Sequence, residues 1–410
     1  MASTIEPFRL GMKSRPEKRF DTAHFSALWR VLVMGFVALT LAACANSKMS
    51  DMFNDAGVKG EQLTKQAASG RKVALLLPLS APGETKRVAQ AMKQAAELAL
   101  TDMGGAGVTL ITKDSGGSAG TAQAAAEAAL NEGAELILGP LLAPEVQAVK
   151  TAVQGRANII AFSSASSVAG QGTYLMSFLP EEEVANVVRY AAQQGKRSVA
   201  LLYPQTQYGS NVQAALNRSA GASGIQIAAS QPYERGQSSA AAAQRIAQDV
   251  NDTSRSIDVL LIPEGGESLR TLGAALEQNG ITPQKVTILG TGLWDDNVTR
   301  ATPIAQGGWY AGVAPDMVER FNSKYSGVYG SSPPRIASLA YDAVSLAAGL
   351  ARNGDFSSAA ITNSAGFQGQ NGLFRFRSNG LIERGLSILQ MTPNGPEVVA
   401  QSPSRFGAGF

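Results

Sequence analysis

From residue 71 onward, short apolar runs alternate with stretches of helical periodicity, and turn residues separate them. This alternation restricts the fold more than any other feature, because repeated βα units build parallel sheets with right-handed crossovers. Residues 72–79, KVALLLPL, read as a strand buried on both faces. Residues 84–103 read as a helix with Val88, Met92, Ala95 and Leu98 on one face. A strand at 108–113, a Gly/Ser-rich turn and an Ala-rich helix to Asn131 follow. The stretch 135–149, ELILGPLLAPEVQAV, repeats the unit: the apolar run Leu136-Ile137-Leu138, a break at Gly139-Pro140, then a helix start with Pro144 and Glu145. That turn falls at the carboxyl edge of a sheet, where open α/β folds bind ligands. A fourth strand, 158–162, runs into a serine cluster, and 174–178 reads as a crossing strand.

A second series starts at Pro180-Glu181-Glu182-Glu183, a proline and acids at a first helical turn. Strands at 198–203, 225–230, 257–263 and 285–290 alternate with helices. After Gly308-Trp309-Tyr310 the chain reads as helical to about residue 354, with Pro333-Pro334 starting its longest helix. Residues 369–399 read as strands joined by turns at Ser378-Asn379-Gly380 and Pro393-Asn394-Gly395.

The 410 residues suffice for two sizeable cores. Residues 1–43 carry six of the 35 Lys/Arg and three of the 32 Asp/Glu, which leaves 29 of each in the remainder. A formally neutral body without a basic stripe argues against nucleic-acid binding. The single Cys, Cys44, and single His, His24, permit neither a disulfide framework nor a Cys/His metal site within the chain, and no cofactor is implied. Residues 31–43 form a thirteen-residue apolar run, the length of a signal-peptide core and short for a membrane span. It ends in Leu41-Ala42-Ala43-Cys44, which resembles a bacterial lipobox. The resemblance implies cleavage before Cys44, acylation of that Cys and attachment to a membrane through its acyl chains. Ala45, where an Asp would signal inner-membrane retention, implies the periplasmic face of the outer membrane. Residues 44–70 are polar and weakly patterned and read as a tether.

KVALLLPL, GPLL, the serine cluster, Tyr208-Gly209, Ala340-Tyr341-Asp342-Ala343-Val344 and the NGLFRF segment together resemble the type 1 periplasmic-binding fold of branched-chain amino-acid binding proteins. The resemblance implies two Rossmann-like lobes with crossings near 180, 306 and 367: lobe 1 from 71–180 and 306–366, lobe 2 from 181–305 and 367–410. LLLPL, GPLL, the Pro-Glu-Glu-Glu helix start, Leu293-Trp294-Asp295-Asp296 and the lipobox are similar to the LpoA-type activator lipoproteins of penicillin-binding proteins. The helical-repeat domain that precedes this one in the best-known members has no room between Cys44 and Arg71.

The candidate cleft residues are Ser80, Leu142, Ser163, Ser164, Ser166, Ser167, Tyr208, Trp294 and Asp295. Hydroxyls and helix N-termini suit a ligand carboxylate, while serines at such turns also serve as turn and capping residues. Trp294 beside Asp295 suits stacking on a sugar or peptide. Packing within the lobe, with Asp295 capping a helix, is the reading such a pair more often supports. The acid and the aromatic that hold an amino acid in the resembled binders fall near Gly292 and Ile262, and Leu142-Ala143-Pro144 replaces their Ser/Thr run. The body after Cys44 has no His and no further Cys, which excludes Ser-His and Cys-His nucleophile systems. The Ser69-Gly70-Arg71-Lys72 match to S-x-x-K places its Lys on a strand, where that chemistry does not work. The expectation is a non-catalytic lipoprotein that activates a peptidoglycan synthase (a penicillin-binding protein), with a small-molecule ligand possible in the cleft. The alternative is a solute-binding lipoprotein of an ABC importer.

Overall fold

The computed structural model describes residues 70–105 and 107–407. The leader, Cys44 and the expected tether up to residue 69 lie outside the described residues.

The first lobe starts with β1 (Arg71–Leu77), whose residues from Val73 onward are fully buried, as an apolar run covered by helices on both faces requires. It continues through α1 (Gly83–Asp102), β2 (Val108–Asp114), α2 (Ala119–Asn131), β3 (Leu136–Leu138), α3 (Ala143–Val153), β4 (Asn158–Ala161) and β5 (Thr173–Leu175). The five strands are parallel, in the order β2-β1-β3-β4-β5. The expected crossing strand is therefore the fifth strand of this sheet.

The chain then passes into the second lobe: α4 (Pro180–Gln193), β6 (Ser198–Pro204), α5 (Gln207–Ser223), β7 (Gln226–Tyr233), α6 (Gln237–Asn251), β8 (Val259–Leu261), α7 (Gly266–Gln278), β9 (Thr287–Leu289), α8 (Asn297–Arg300) and β10 (Trp309–Gly312). It returns through α9 (Pro315–Tyr329), α10 (Ala337–Arg352), α11 (Ser358–Ile361) and the antiparallel sheet of β11 (Phe367–Gly369), β12 (Gly372–Phe376) and β13 (Ile382–Arg384). It ends on β14 (Ser387–Thr392) and β15 (Gly395–Ala400). The second sheet has the order β15-β14-β10-β9-β8-β6-β7; β14 runs antiparallel to its neighbours β10 and β15, and the other pairs are parallel.

Two boundaries differ from the expected ones. β10 pairs with β9 and β14, so the second crossing follows Gly312 instead of falling near 306. Phe374, Phe376 and Ile382 pack into the first lobe's core, and Leu175 N–H donates to Gly380 O at 2.8 Å. The third crossing therefore falls at Gly385-Leu386 and not near 367. The stretch expected to be helical after 308–310 begins with the end of β10, and its helices are α9 and α10. α10 begins at Ala337, beyond Pro333-Pro334, and its 16 residues are fewer than the 20 of α1, against which it packs.

Candidate ligand-binding cleft

The first lobe's loops at the strand ends are held by their own backbone. Gly139 has φ +93°, and a Cβ there would run into the Leu76 carbonyl, so only glycine fits. The fully buried Glu145 carboxylate accepts from Gly117 N at 3.0 Å and from Leu142 N at 3.2 Å. Burial pushes this carboxyl's pKa up. Ser163 is buried, with Oγ accepting from Ala165 N at 3.2 Å. Ser80 is exposed and offers its backbone N–H to Asp114 Oδ1 at 3.2 Å. Ser164 and Ser167 are exposed, and the Ser166 hydroxyl donates to Glu181. Ser80, Ser163 and Ser166 are thus used, by backbone or side chain, in turns and contacts of the fold.

In the second lobe, the Tyr208 hydroxyl and Thr291 Oγ1 hydrogen-bond at 2.8 Å, which ties the start of α5 to the loop after β9. Trp294 is fully buried and packs on Tyr310, ring centroids 5.8 Å apart, filling the space above Gly290. It is a core residue of the lobe. Asp296, not Asp295, caps α8, accepting from Val298 N at 2.8 Å and Thr299 N at 3.1 Å. Asp295 forms no side-chain hydrogen bond or ion pair among the described residues and faces a cavity.

That cavity, about 880 Å³, lies between the lobes. Phe178, Phe321 and Arg335 line it from the first lobe, and Asp295, Arg300 and Tyr310 from the second. Tyr310 is fully buried, yet its hydroxyl has no partner among the described residues, and Arg300 Nε is likewise buried and unpaired there. Burial first, and the nearby Asp295 carboxylate second, push the phenol pKa up, so Tyr310 stays a neutral donor. At the cleft floor, Glu183 Oε2 accepts from Gly292 N at 2.9 Å and Oε1 meets Arg335 Nη2 at 3.2 Å. A Cβ on Gly292 would collide with both side chains. The Arg335 guanidinium also lies 4.0 Å from the centre of the Phe178 ring.

A second cavity of about 1000 Å³ lies between α4, α5 and the three-stranded sheet, and Ser166 is the expected residue that lines it. Asp295 lines the first cavity, and Ser80, Leu142, Ser163, Ser164, Ser167, Tyr208 and Trp294 line neither. Arg300, Tyr310 and Arg335 are the functional candidates that sequence reasoning missed. A lone aromatic on a strand and isolated arginines carry no spacing signal.

A sequence profile described as periplasmic binding protein matches residues 71–396. The chain belongs to this family. No curated protein matches it. Among solved structures, a protein of Rhodospirillum rubrum assigned to branched-chain amino-acid ABC transport superposes with TM-score 0.71 at 18% identity, covering 80% of this chain and 100% of that one. An ABC transporter substrate-binding protein of Desulfitobacterium hafniense, in complex with Leu, gives 0.59 at 18%, with coverages of 81% and 100%. A solute-binding protein of an ABC transporter from Rhodopseudomonas palustris, in complex with 3,4-dihydroxybenzoic acid, gives 0.59 at 18%, with coverages of 83% and 98%. At such identities the likeness concerns the fold, and the expected two-lobed α/β architecture is the one observed.

Proposed function

We propose that this periplasmic binding protein is a non-catalytic, extracytoplasmic solute receptor of the ABC-importer type, and that its cavity between the lobes takes an organic acid. The carrying observation is that the Tyr310 hydroxyl and Arg300 Nε are both buried without a partner, on two residues that line this cavity. Buried donors without partners are uncommon and mark a place for a ligand acceptor. A carboxylate at Arg300 and Tyr310 satisfies both. Phe178 and Phe321 supply an apolar wall, and Asp295, opposite in charge, accepts from a hydroxyl. A hydroxylated aromatic acid combines these groups, and a solved relative holds one. Free leucine fits less well, because the Glu183–Arg335 pair occupies the space beside Gly292.

Titration calorimetry with 3,4-dihydroxybenzoate, benzoate and leucine tests the reading. The expected order of affinity is dihydroxybenzoate, then benzoate, with leucine undetected. Removing the hydroxyl or guanidinium partner, by Tyr310→Phe or Arg300→Gln, should weaken binding about tenfold or more, the worth of a charge-assisted hydrogen bond. Binding unchanged in both variants overturns the site.

One observation favours the activator reading as a second possibility. The lobes are joined across the cleft floor by side chains of the protein itself, which suits a molecule that works through its surface. Reconstitution with the bifunctional peptidoglycan synthases of the same cell decides it: direct binding and a raised synthase rate support the reading, and their absence with every synthase removes it. Acylation at Cys44 belongs to both readings as a proposal, whereas placement at the outer membrane suits the activator and disfavours the importer receptor.

A further inference from the structure

Three consecutive acids open α4, and each carboxylate grips a different part of the opposite lobe. Glu181 accepts from the Ser166 hydroxyl in the loop after β4. Glu182 meets Arg377 Nη2, beyond the end of β12, at 3.2 Å. Glu183 meets Arg335, ahead of α10, at 3.2 Å, while its other oxygen holds Gly292 of its own lobe. The contacts sit at the crossings themselves. Phe178, just before the first crossing, lies 4.0 Å from the Arg335 guanidinium and 4.9 Å from that of Arg384, which ends β13 just before the third. A carboxylate needs only one partner at a helix start, and the helix's own N–H groups serve there. Three cross-lobe partners for three adjacent acids therefore place this helix terminus between the lobes as well as at the start of a helix.

We propose that Glu181, Glu182 and Glu183 form a clasp that sets the angle between the lobes, and that its release is the step by which the cleft opens. A change in the interlobe angle acts on all three contacts at once, since the acids ride on one lobe and their partners on the other. The inference holds whatever occupies the cavity, so it stands or falls apart from the ligand assignment.

The clasp also carries a pH dependence. Glu182 faces Arg377 and Glu383 from the opposite lobe and Arg189 and Glu181 on its own helix, while Arg218 and Arg384 line the same cavity. Burial, the largest influence, raises its pKa from 4.5 to about 7 in the clasped form. When the clasp opens, water reaches the carboxyl and its ordinary acidity returns. The clasped form therefore binds the proton more tightly: the neutral carboxyl still accepts from Arg377 through its carbonyl oxygen, and the clasp is favoured as pH falls and loosens as pH rises through about 7.

Spin–spin distance measurement tests this on the full chain with Cys44→Ser and labels at Lys86→Cys and Glu267→Cys, at the starts of α1 and α7 on either side of the cleft. The clasped population should fall about 30-fold relative to the open one between pH 5.5 and pH 8. Glu182→Gln, which mimics the protonated form, should keep the short distance at both pH values. Arg335→Ala should shift the distribution to longer distances throughout. Superimposable distributions for wild type and a folded Arg335→Ala overturn the proposal. Should Arg335→Ala not fold, the pH comparison decides: equal distances for wild type at pH 5.5 and 8 overturn it, and a loss of the pH response in Glu182→Gln supports it.

Discussion

Helices α3 and α4 start alike, with a proline in the first turn and one acid (α3) or three (α4) directly behind it, but their carboxylates go in opposite directions. Glu145 turns back on its own lobe and collects the N–H groups of Leu142 and Gly117. Glu183 reaches out of its lobe to Arg335 and keeps only Gly292 at home. Both are buried, Glu145 completely and Glu183 to 3% exposure. Their satisfaction differs in kind. A buried carboxylate met by the backbone of its own lobe stabilises that lobe's loops, whereas one met by a side chain of the other lobe stabilises one arrangement of two bodies. The same signature at two helix starts therefore serves folding in one place and interlobe geometry in the other.

The sharpest way to break this comparison is Glu145→Ala. It strands two half-buried N–H groups and leaves a void where the buried side chain sat, so stability should fall by about 2–4 kcal/mol, seen as a drop of several degrees in thermal unfolding. A drop under about one degree would mean the loops hold themselves and Glu145 is no staple. Gly292→Ala should come next. Its Cβ collides with Glu183 and Arg335, so the pair must part, at about 1–3 kcal/mol of overpacking. Unlike Glu145→Ala, it should also enlarge the radius of gyration in small-angle scattering, because the damage lies between the lobes. An unchanged radius would remove the distinction drawn here. The smallest effect belongs to Asp295→Asn. This side chain has no partner among the described residues, so stability should stay within about 0.5 kcal/mol. Affinity for 3,4-dihydroxybenzoate should nonetheless fall while affinity for benzoate does not, since only the former offers Asp295 a hydroxyl. Equal losses for both ligands in calorimetry would place Asp295 away from the bound hydroxyls.

Much of the architecture was legible because strand and helix signals are local. The run 72–79 reads as a doubly covered strand from its own residues, and β1 is one. Lobe membership was less legible. Residues 372–376 declare a strand, but nothing in them says that Phe374 and Phe376 will enter the first lobe's core. The candidate site was legible in one residue above all, Asp295. Trp294 and Tyr208 carry the chemistry of ligand contacts and were spent inside the lobe, on Tyr310 and Thr291. Arg335, read only as part of a proline-led helix start, became the partner of Glu183.

Alternation of apolar runs with helical periodicity was enough to determine parallel α/β units in two series, and the resemblance to the binding-protein fold implied the two lobes. Burial of one face or two leaves its period in the residues themselves. Only the tertiary structure decided which acid closes on which arginine. Glu183 and Arg335 stand 152 positions apart. What brings them within 3.2 Å is the return of the chain through the second crossing and the packing of α10 on the first lobe, not any property of either residue or its neighbours.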